Sequence, residues 1–438
     1  MSIPVDFLVH PRWLIPVEPE RAVLAAHSVA VRDGCIVDVL PQAEARARYV
    51  ATEVFDLPDH VLIPGLVNLH THAAMSLMRG LSDDLPLARW LNEVIWPAEK
   101  RHVSPDFVRD GTLLAICEML RGGVTTYNDM YYFPDDEAEV AARAGMRAVV
   151  GLIVLDFPGA WGNDPDDYLR KGMAVRDKWR GHPLVSFAIA PHAPYSVGDA
   201  GLERSACLAN ELDLPIHIHL HETAGEVADS LAAHGVRPID RLERAGLLGP
   251  NLIAVHTVHA DERDLALLAH RGCHVAHCPS SNMKLASGIA PVPAMLRHGI
   301  GVGLGTDGAA SNNRLDMFQE MRQAALLAKV GSLDATALPA HTALRMATLG
   351  GARALGLEKT TGSIEKGKRA DLCAVALNDP DVNPCFDPVS HLVYVCGRRQ
   401  VSHVWIDGEI RVREGNLLLQ IGDNELLALA SLWQTRLV

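Results

Sequence analysis

No Cys-x-x-Cys pair occurs in this 438-residue chain. Its eight cysteines, Cys35, Cys117, Cys207, Cys273, Cys278, Cys373, Cys385 and Cys396, are scattered, so neither a thiolate zinc site nor a redox motif is signalled. No run of Lys and Arg appears, and the formal net charge is −13, which excludes the basic stripe of a nucleic-acid surface. No uninterrupted apolar segment approaches the ~20 residues that span a bilayer, so no membrane partner is expected. Residues 1–20 carry Asp6, Arg12 and Glu18 and show no basic region followed by an apolar core. A signal peptide is therefore not expected, and the reducing cytoplasm is the expected home. No Gly-x-Gly-x-x-Gly follows the first long apolar run, which disfavours a dinucleotide fold. What is present, 48% hydrophobic and 21% charged residues, is ordinary for a soluble globular enzyme.

Length alone suggests about two or three domains, although an α/β barrel can use ~250 residues or more as one. Both ends read as short strands and turns. Ser28–Val31, the Arg32-Asp33-Gly34 turn and Cys35–Val39 form one hairpin pattern. Asp371–Ala376 reads as a strand, and Val401–Ile406, Asp407-Gly408 and Glu409–Val412 form a second hairpin. Between them, short apolar runs alternate with helical stretches. The runs are Val61–Leu69, Val124–Asn128, Arg147–Val154, Val185–Ala190, Pro215–His221, Asn251–Val255, Cys273–His277 and Gly301–Leu304. Helical segments include Pro105–Arg121, Glu137–Ala144, Gly201–Leu212 and Ala260–His270. Eight such alternations predict an α/β fold, a (β/α)8 TIM-like barrel over residues 62–360. A small β-sandwich assembled from residues 1–61 and 361–438 completes the expectation.

Polar residues at the C-terminal ends of these runs carry the chemistry, since barrel enzymes work on that face. His70-Thr71-His72 ends the first run, and residues i and i+2 of a strand point to one side. Two such imidazoles can converge on one ion. They have company in His217, His219 and His221, in His256, and in Asp307 after another short run. Three nitrogens and one carboxylate suit a catalytic zinc or iron site. The three histidines of Pro215–Glu222 cannot all bind one ion, because alternate strand residues lie ~6.5–7 Å apart. The middle one, His219, is the expected ligand, with His217 deeper as support and His221 at the rim. Glu222 sits where a proton shuttle beside a metal-bound water belongs, although it could also be a helix N-terminal acid. His256 is favoured over His259, which falls beyond its strand's end. Asp307 can bind the ion and accept a proton from its water, whose pKa zinc lowers from ~15.7 to about 7.

Further motifs are Pro64-Gly65-Leu66-Val67-Asn68-Leu69-His70-Thr71-His72, Pro191-His192-Ala193-Pro194-Tyr195-Ser196 and His217–Thr223. With them stand His256-Thr257-Val258-His259, Cys278–Leu285, Gly305–Asn313 and Thr361–Asp371. Over nearly its whole length the chain resembles the amidohydrolase superfamily, and within it the 5′-methylthioadenosine/S-adenosylhomocysteine deaminase family. The resemblance implies one Zn2+ per chain (Fe2+ or another divalent ion being an alternative) held by His70, His72, His219 and Asp307. It implies substrate contacts from Glu99 and His192, with Glu222 meeting the purine ring and His256 orienting the attacking hydroxide. Glu222, His256 and Asp307 would be the catalytic set, with Glu222 and Asp307 also touching substrate. The implied partner is a small purine nucleoside, and a homo-oligomer is expected. No strand-end lysine offers the bridge of two-metal relatives.

One departure stands out. The third run, Arg147–Val154, lacks an arginine that many relatives carry there, leaving Arg79 or Arg147 as candidates to meet a substrate carboxylate. The 73–101 segment, with Met75, Met78, Leu81, Leu85, Trp90 and Trp96, is expected to wall the pocket. Within the same scaffold the alternatives are a guanine or cytosine deaminase or a triazine hydrolase. From another class, a non-catalytic metal- or purine-binding protein is disfavoured, because binding alone needs neither Glu222 nor His256.

Overall fold

Gly65 divides the first long apolar run into two strands with different partners. In the computed structural model, which describes residues 3–437, Tyr49–Pro64 belongs to a nine-stranded sheet and Leu66–Thr71 to an eight-stranded one. A Cβ on Gly65 would lie 2.1 Å from the Thr125 hydroxyl, so no side chain fits at the junction. The single strand expected over 61–69 is therefore two, for a reason that lies outside the run itself.

The eight-stranded sheet is the expected parallel barrel. Its strands follow in chain order: Leu66–Thr71, Val124–Asp129, Arg147–Val154, Val185–Pro191, Ile216–Leu220, Leu252–His256, His274–His277 and Gly301–Leu304. Side-chain and backbone hydrogen bonds link the first strand to the segment after the last. Asn68 Oδ1 accepts from Thr306 N (2.9 Å), its Nδ2 donates to the Thr306 hydroxyl (2.8 Å), and Asp307 N donates to His70 O (2.9 Å). Gly305 permits this approach, since a Cβ there would sit 2.7 Å from His70 N. Helices pack outside. Pro105–Arg121 is capped by Ser104, whose hydroxyl accepts from Phe107 N, with Pro105 in the first turn. Pro134–Ala144 starts a turn earlier than its periodicity suggested, again at a proline, and ends at left-handed Gly145.

Both chain ends supply the other sheet. Its order runs Asn416–Leu417, Glu409–Arg413, Val401–Ile406, Leu372–Ala376, Tyr49–Pro64, Ile3–Leu14, His27–Arg32, Cys35–Pro41, and the ninth strand, Leu24–Ala25, pairs with the end of Ile3–Leu14 off this path. The two predicted hairpins are present. Asp33-Gly34 (φ +53° and +70°) and Asp407-Gly408 (φ +56° and +82°) take the doubly left-handed turn that matches strand twist. Phe7 and Trp405 stand on strands three steps apart, about 14 Å on a flat sheet. Their ring centroids are 6.1 Å apart, with Phe55 edge-on to both. The expected sandwich is thus one continuous sheet curved over a shared aromatic core. The chain's last stretch also departs from the strand reading: Asp423–Leu437 is a helix. Trp433 packs edge-on against Phe107 and donates from Nε1 to Asp110 (2.7 Å).

Candidate active site

At the C-terminal mouth of the barrel four imidazoles turn the same nitrogen inward. His72 Nδ1 lies 2.6 Å from Met130 O, and His219 Nδ1 lies 2.7 Å from His192 O. A carbonyl only accepts, so each Nδ1 carries the proton and each Nε2 keeps its lone pair. His70 Nδ1 meets His217 Nε2 (2.9 Å), and His256 Nδ1 meets Asn282 Oδ1 (2.9 Å). His217 is therefore the support that its deeper position implied. Asp307 Oδ1 stands 3.3 Å from His70 Nε2 and 3.4 Å from His72 Nε2. Ligands bonded at 2.0–2.1 Å in a tetrahedron are ~3.3 Å apart, the spacing seen here.

The donor set fits a divalent ion on a further count. His70 Nε2 is fully buried yet has no hydrogen-bond partner. Two groupings bring ligand atoms close enough to hold one ion: His70, His72 and His219, and His70, His256 and Asp307. Burial drives His70 down to about 4, and His219 well below the usual imidazole value, so both stay neutral and able to ligate. Burial pushes Asp307 up, but the surrounding histidines, His70 first, outweigh it and hold the carboxyl well below its ordinary range. His256 and Asp307 also adopt left-handed backbone (φ +69° and +60°), a local cost of order 1 kcal/mol or more that clusters at functional sites.

Beside this cluster lies a cavity of about 680 Å³, part of it open to solvent. Glu222 lines it, with Oε2 3.8 Å from His256 Nε2. Burial, then the Asp307 charge, pushes its carboxyl up to about 8. Glu222 stands just before the Thr223 cap of helix Ala224–His234, and it is Glu226, not Glu222, that accepts from the backbone there. Glu99, on helix Trp96–His102, is buried rather than loop-exposed. Tyr131 donates to its Oε1 (2.8 Å), and burial lifts it to about 7. His192 also lines the cavity, its Nδ1 2.7 Å from the Ser196 hydroxyl. Burial lowers it to about 3, so it is a neutral hydrogen-bonding group.

Met75, Trp90 and Trp96 of the 73–101 segment form part of the wall, while Met78 is buried behind them and Leu81 and Leu85 pack there too. Tyr131, Tyr132, Leu155, Phe157, Tyr195 and Leu285 also line the cavity and were not anticipated. The signal available for Tyr131-Tyr132 was position, an aromatic pair just past a barrel strand's C-terminal end. No Lys or Arg lines the cavity among the described residues. Arg147 is at the opposite end of its strand, paired with Asp371 (2.8 Å), and Arg79 binds Glu118 and the Asn313 carbonyl. Neither candidate lines the cavity. His259 is tied to Ser287 O (2.6 Å). His221 is buried rather than at the rim, near Asp264 and accepting from Ile239 N.

The family model for the amidohydrolase family matches residues 61–411. The chain belongs to the amidohydrolase family. A 5-methylthioadenosine/S-adenosylhomocysteine deaminase of Saccharophagus degradans is 46% identical over 99% of this chain and 97% of its own. One of Syntrophobacter fumaroxidans is 46% identical over 96% of each. Among solved structures, a zinc-bound adenosine deaminase from Xanthomonas campestris superimposes with TM-score 0.98 at 49% identity, covering 100% of this chain and 99% of that one. As an amidohydrolase the chain carries a histidine and aspartate cluster able to hold an ion of the kind bound in that structure. No helix among the described residues is long and apolar enough to cross a membrane.

Proposed function

We propose that this amidohydrolase hydrolyses the 6-amino group of a purine nucleoside with a 5′-thioether, 5′-methylthioadenosine before S-adenosylhomocysteine, giving the inosine analogue and ammonia. The carrying observation is Glu222, a carboxyl raised to about 8 and set 3.8 Å from His256 beside the histidine cluster. His70, His72, His219 and Asp307 would hold the ion. When bound, it supplies the Lewis acidity that makes water a nucleophile near neutral pH. Glu222, protonated at pH 7, donates to N1 of the ring, so that C6 accepts the attacking water's oxygen. His256 and Asp307 orient that water and take its proton, and Asp307 returns one to the departing amine. Glu99 accepts from the ribose hydroxyls, and His192 bonds the substrate beside it.

The wall supports the choice of 5′ group. Trp96, Tyr132, Ile153, Leu155 and Phe157 offer apolar and aromatic surface, and no Lys or Arg among the described residues lines the cavity to meet a carboxylate or phosphate. Methylthioadenosine should therefore exceed S-adenosylhomocysteine, and both should far exceed AMP. Eight unpaired thiols suit a cytoplasmic location. Exposed Leu326, Val330 and Leu333, along helix Met317–Ser332 and its end, suit self-association. The test of the reaction is ammonia release from methylthioadenosine, S-adenosylhomocysteine, adenosine, AMP, adenine, guanine and cytosine, with chloride release followed for a chlorotriazine. Release from guanine, cytosine or the triazine alone would replace this reading, and release from none would leave a binding protein.

A further inference from the structure

Ser281 and Asn282 are neighbours on the short helix Pro279–Lys284, yet they hold side chains from two other barrel strands. The Ser281 hydroxyl donates to Asp307 Oδ2 (2.6 Å), and Asn282 Oδ1 meets His256 Nδ1 (2.9 Å). Asp307 Oδ1, which faces His70 and His72, accepts from Gly308 N (2.7 Å). With Ser281 on the second oxygen the carboxylate cannot swing about its Cβ–Cγ bond. What fixes the helix is a third group, remote in sequence. Glu320 accepts from Ser280 N at Oε2 (3.1 Å) and from the Ser280 hydroxyl at Oε1. Asn312 Nδ2 donates to the same Oε1 (2.9 Å) and to Thr306 O (2.6 Å). One carboxylate thus ties the Ser281-bearing helix to the loop that carries Asp307.

We propose that Glu320 and Ser281 are positioning residues, Glu320 locking the Pro279–Lys284 corner and Ser281 on that corner aiming Asp307 at the metal. Ser280, Ser281, Asn282, Asn312 and Glu320 are all buried, so water cannot replace a lost partner. No Lys or Arg pairs with Glu320 among the described residues, and burial pushes it up to about 8. A buried carboxylate without a cation is unfavourable for folding alone. Its use here is that each oxygen can accept, Oε2 from Ser280 N and Oε1 from Asn312 Nδ2, even with the proton that burial retains shared between Oε1 and the Ser280 hydroxyl. Glutamine keeps the shape but offers one acceptor and turns an N–H toward a donor.

This rests on Asp307 being a metal ligand, as proposed above. The probe is zinc itself, in a chelator competition on the zinc-loaded full-length protein, with melting temperature recorded beside it. Ser281→Ala should hold zinc ~10–100-fold more weakly, the usual consequence of losing a partner that orients a ligand. Ser281→Thr, which keeps the hydroxyl, should restore most of that affinity. Glu320→Gln should weaken zinc in the same direction, and the double variant should be no worse than the weaker single one, because both act through one corner. If Glu320→Gln does not fold, Ser280→Ala takes its place in the cycle. Wild-type zinc affinity in Ser281→Ala, or losses that multiply in the double variant, overturns the proposal while the ligand assignment stands. A wild-type protein that holds no zinc sinks both.

Discussion

Buried charge sits at both ends of the barrel strands, and the two ends treat it differently. At the N-terminal end Arg147 donates from Nε and a terminal nitrogen to the two Asp371 oxygens (2.8 and 3.1 Å) and from the other to Pro183 O (3.3 Å). Asp371 in turn accepts from Asp407 N (2.7 Å), and Asp407 pairs with Arg369. Nearly every donor and acceptor there has a partner. At the C-terminal end His70 Nε2 has no hydrogen-bond partner, four imidazoles turn their Nε2 atoms toward one another, and burial favours the protonated form of Glu222. A closed network needs nothing further. An open one at equal burial is stable only with a ligand, which is why the second is the reactive end although both contain ion pairs.

The largest effect should come from emptying the open end. His70→Ala and Asp307→Ala each remove a ligand, and metal content per chain should fall from about one toward zero with deaminase activity. Full metal retention in both variants would mean that the unpartnered His70 Nε2 faces something other than an ion.

Glu222→Gln comes next. It keeps shape and charge-neutrality but cannot donate an acidic proton, so turnover should fall ~10²–10⁴-fold with metal and much of the affinity retained. The pH profile carries the sign. Glu222 is raised from the ordinary carboxylate range to about 8, so the proton-donating form predominates below that pH and is lost above it. Wild-type kcat should hold through neutrality and decline as pH rises through about 8, a limb that Glu222→Gln should lack. A rate that climbs past pH 9 removes Glu222 as the acid.

The open end was more legible in the sequence than the closed one. His70-Thr71-His72, His219, Glu222, His256 and Asp307 sit at strand ends, and a two-residue period or a single terminal position is local information. The hairpins at Asp33-Gly34 and Asp407-Gly408 were legible for the same reason. What depended on distant contacts was not. Gly65 breaks a strand because Thr125 fills the space, and the carboxylates meeting Arg147 and Ser280 lie 224 and 40 residues further on. The apolar lining was half legible: Trp90 and Trp96 lie in one segment, whereas Tyr131, Leu155 and Phe157 converge from two other strand ends.

Breaking the closed end should hurt stability and spare chemistry. Arg147→Met leaves Asp371 buried with Asp407 N as its remaining donor, and removing one partner of a buried pair costs about 3–5 kcal/mol. The melting temperature should drop clearly in calorimetry, while KM, and kcat per folded molecule, stay near wild type. A selective loss of S-adenosylhomocysteine turnover would return Arg147 to the substrate, against its position at the far end of the strand.

Glu99 is the intermediate case, closed on one oxygen and open on the other, and it gives the smallest effect. Tyr131 holds Oε1, leaving the second oxygen to the cavity that Glu99 lines. If ribose hydroxyls complete it, a free base leaves the buried carboxyl without that partner, a loss of about 1.5–3 kcal/mol. That is roughly 10–150-fold in kcat/KM between adenosine and adenine. Glu99→Ala removes the group the base cannot satisfy, so it should lower nucleoside turnover, leave adenine nearly unchanged and narrow the gap. Tyr131→Phe should narrow it less, since it frees Glu99 without deleting it. Because burial lifts Glu99 only to about 7, the advantage of the nucleoside should grow from pH 6 to pH 8 as the carboxyl ionises and accepts more strongly. Steady-state comparison of adenosine and adenine at those two values decides it: an unchanged ratio in Glu99→Ala would make Glu99 a closed residue like Asp371.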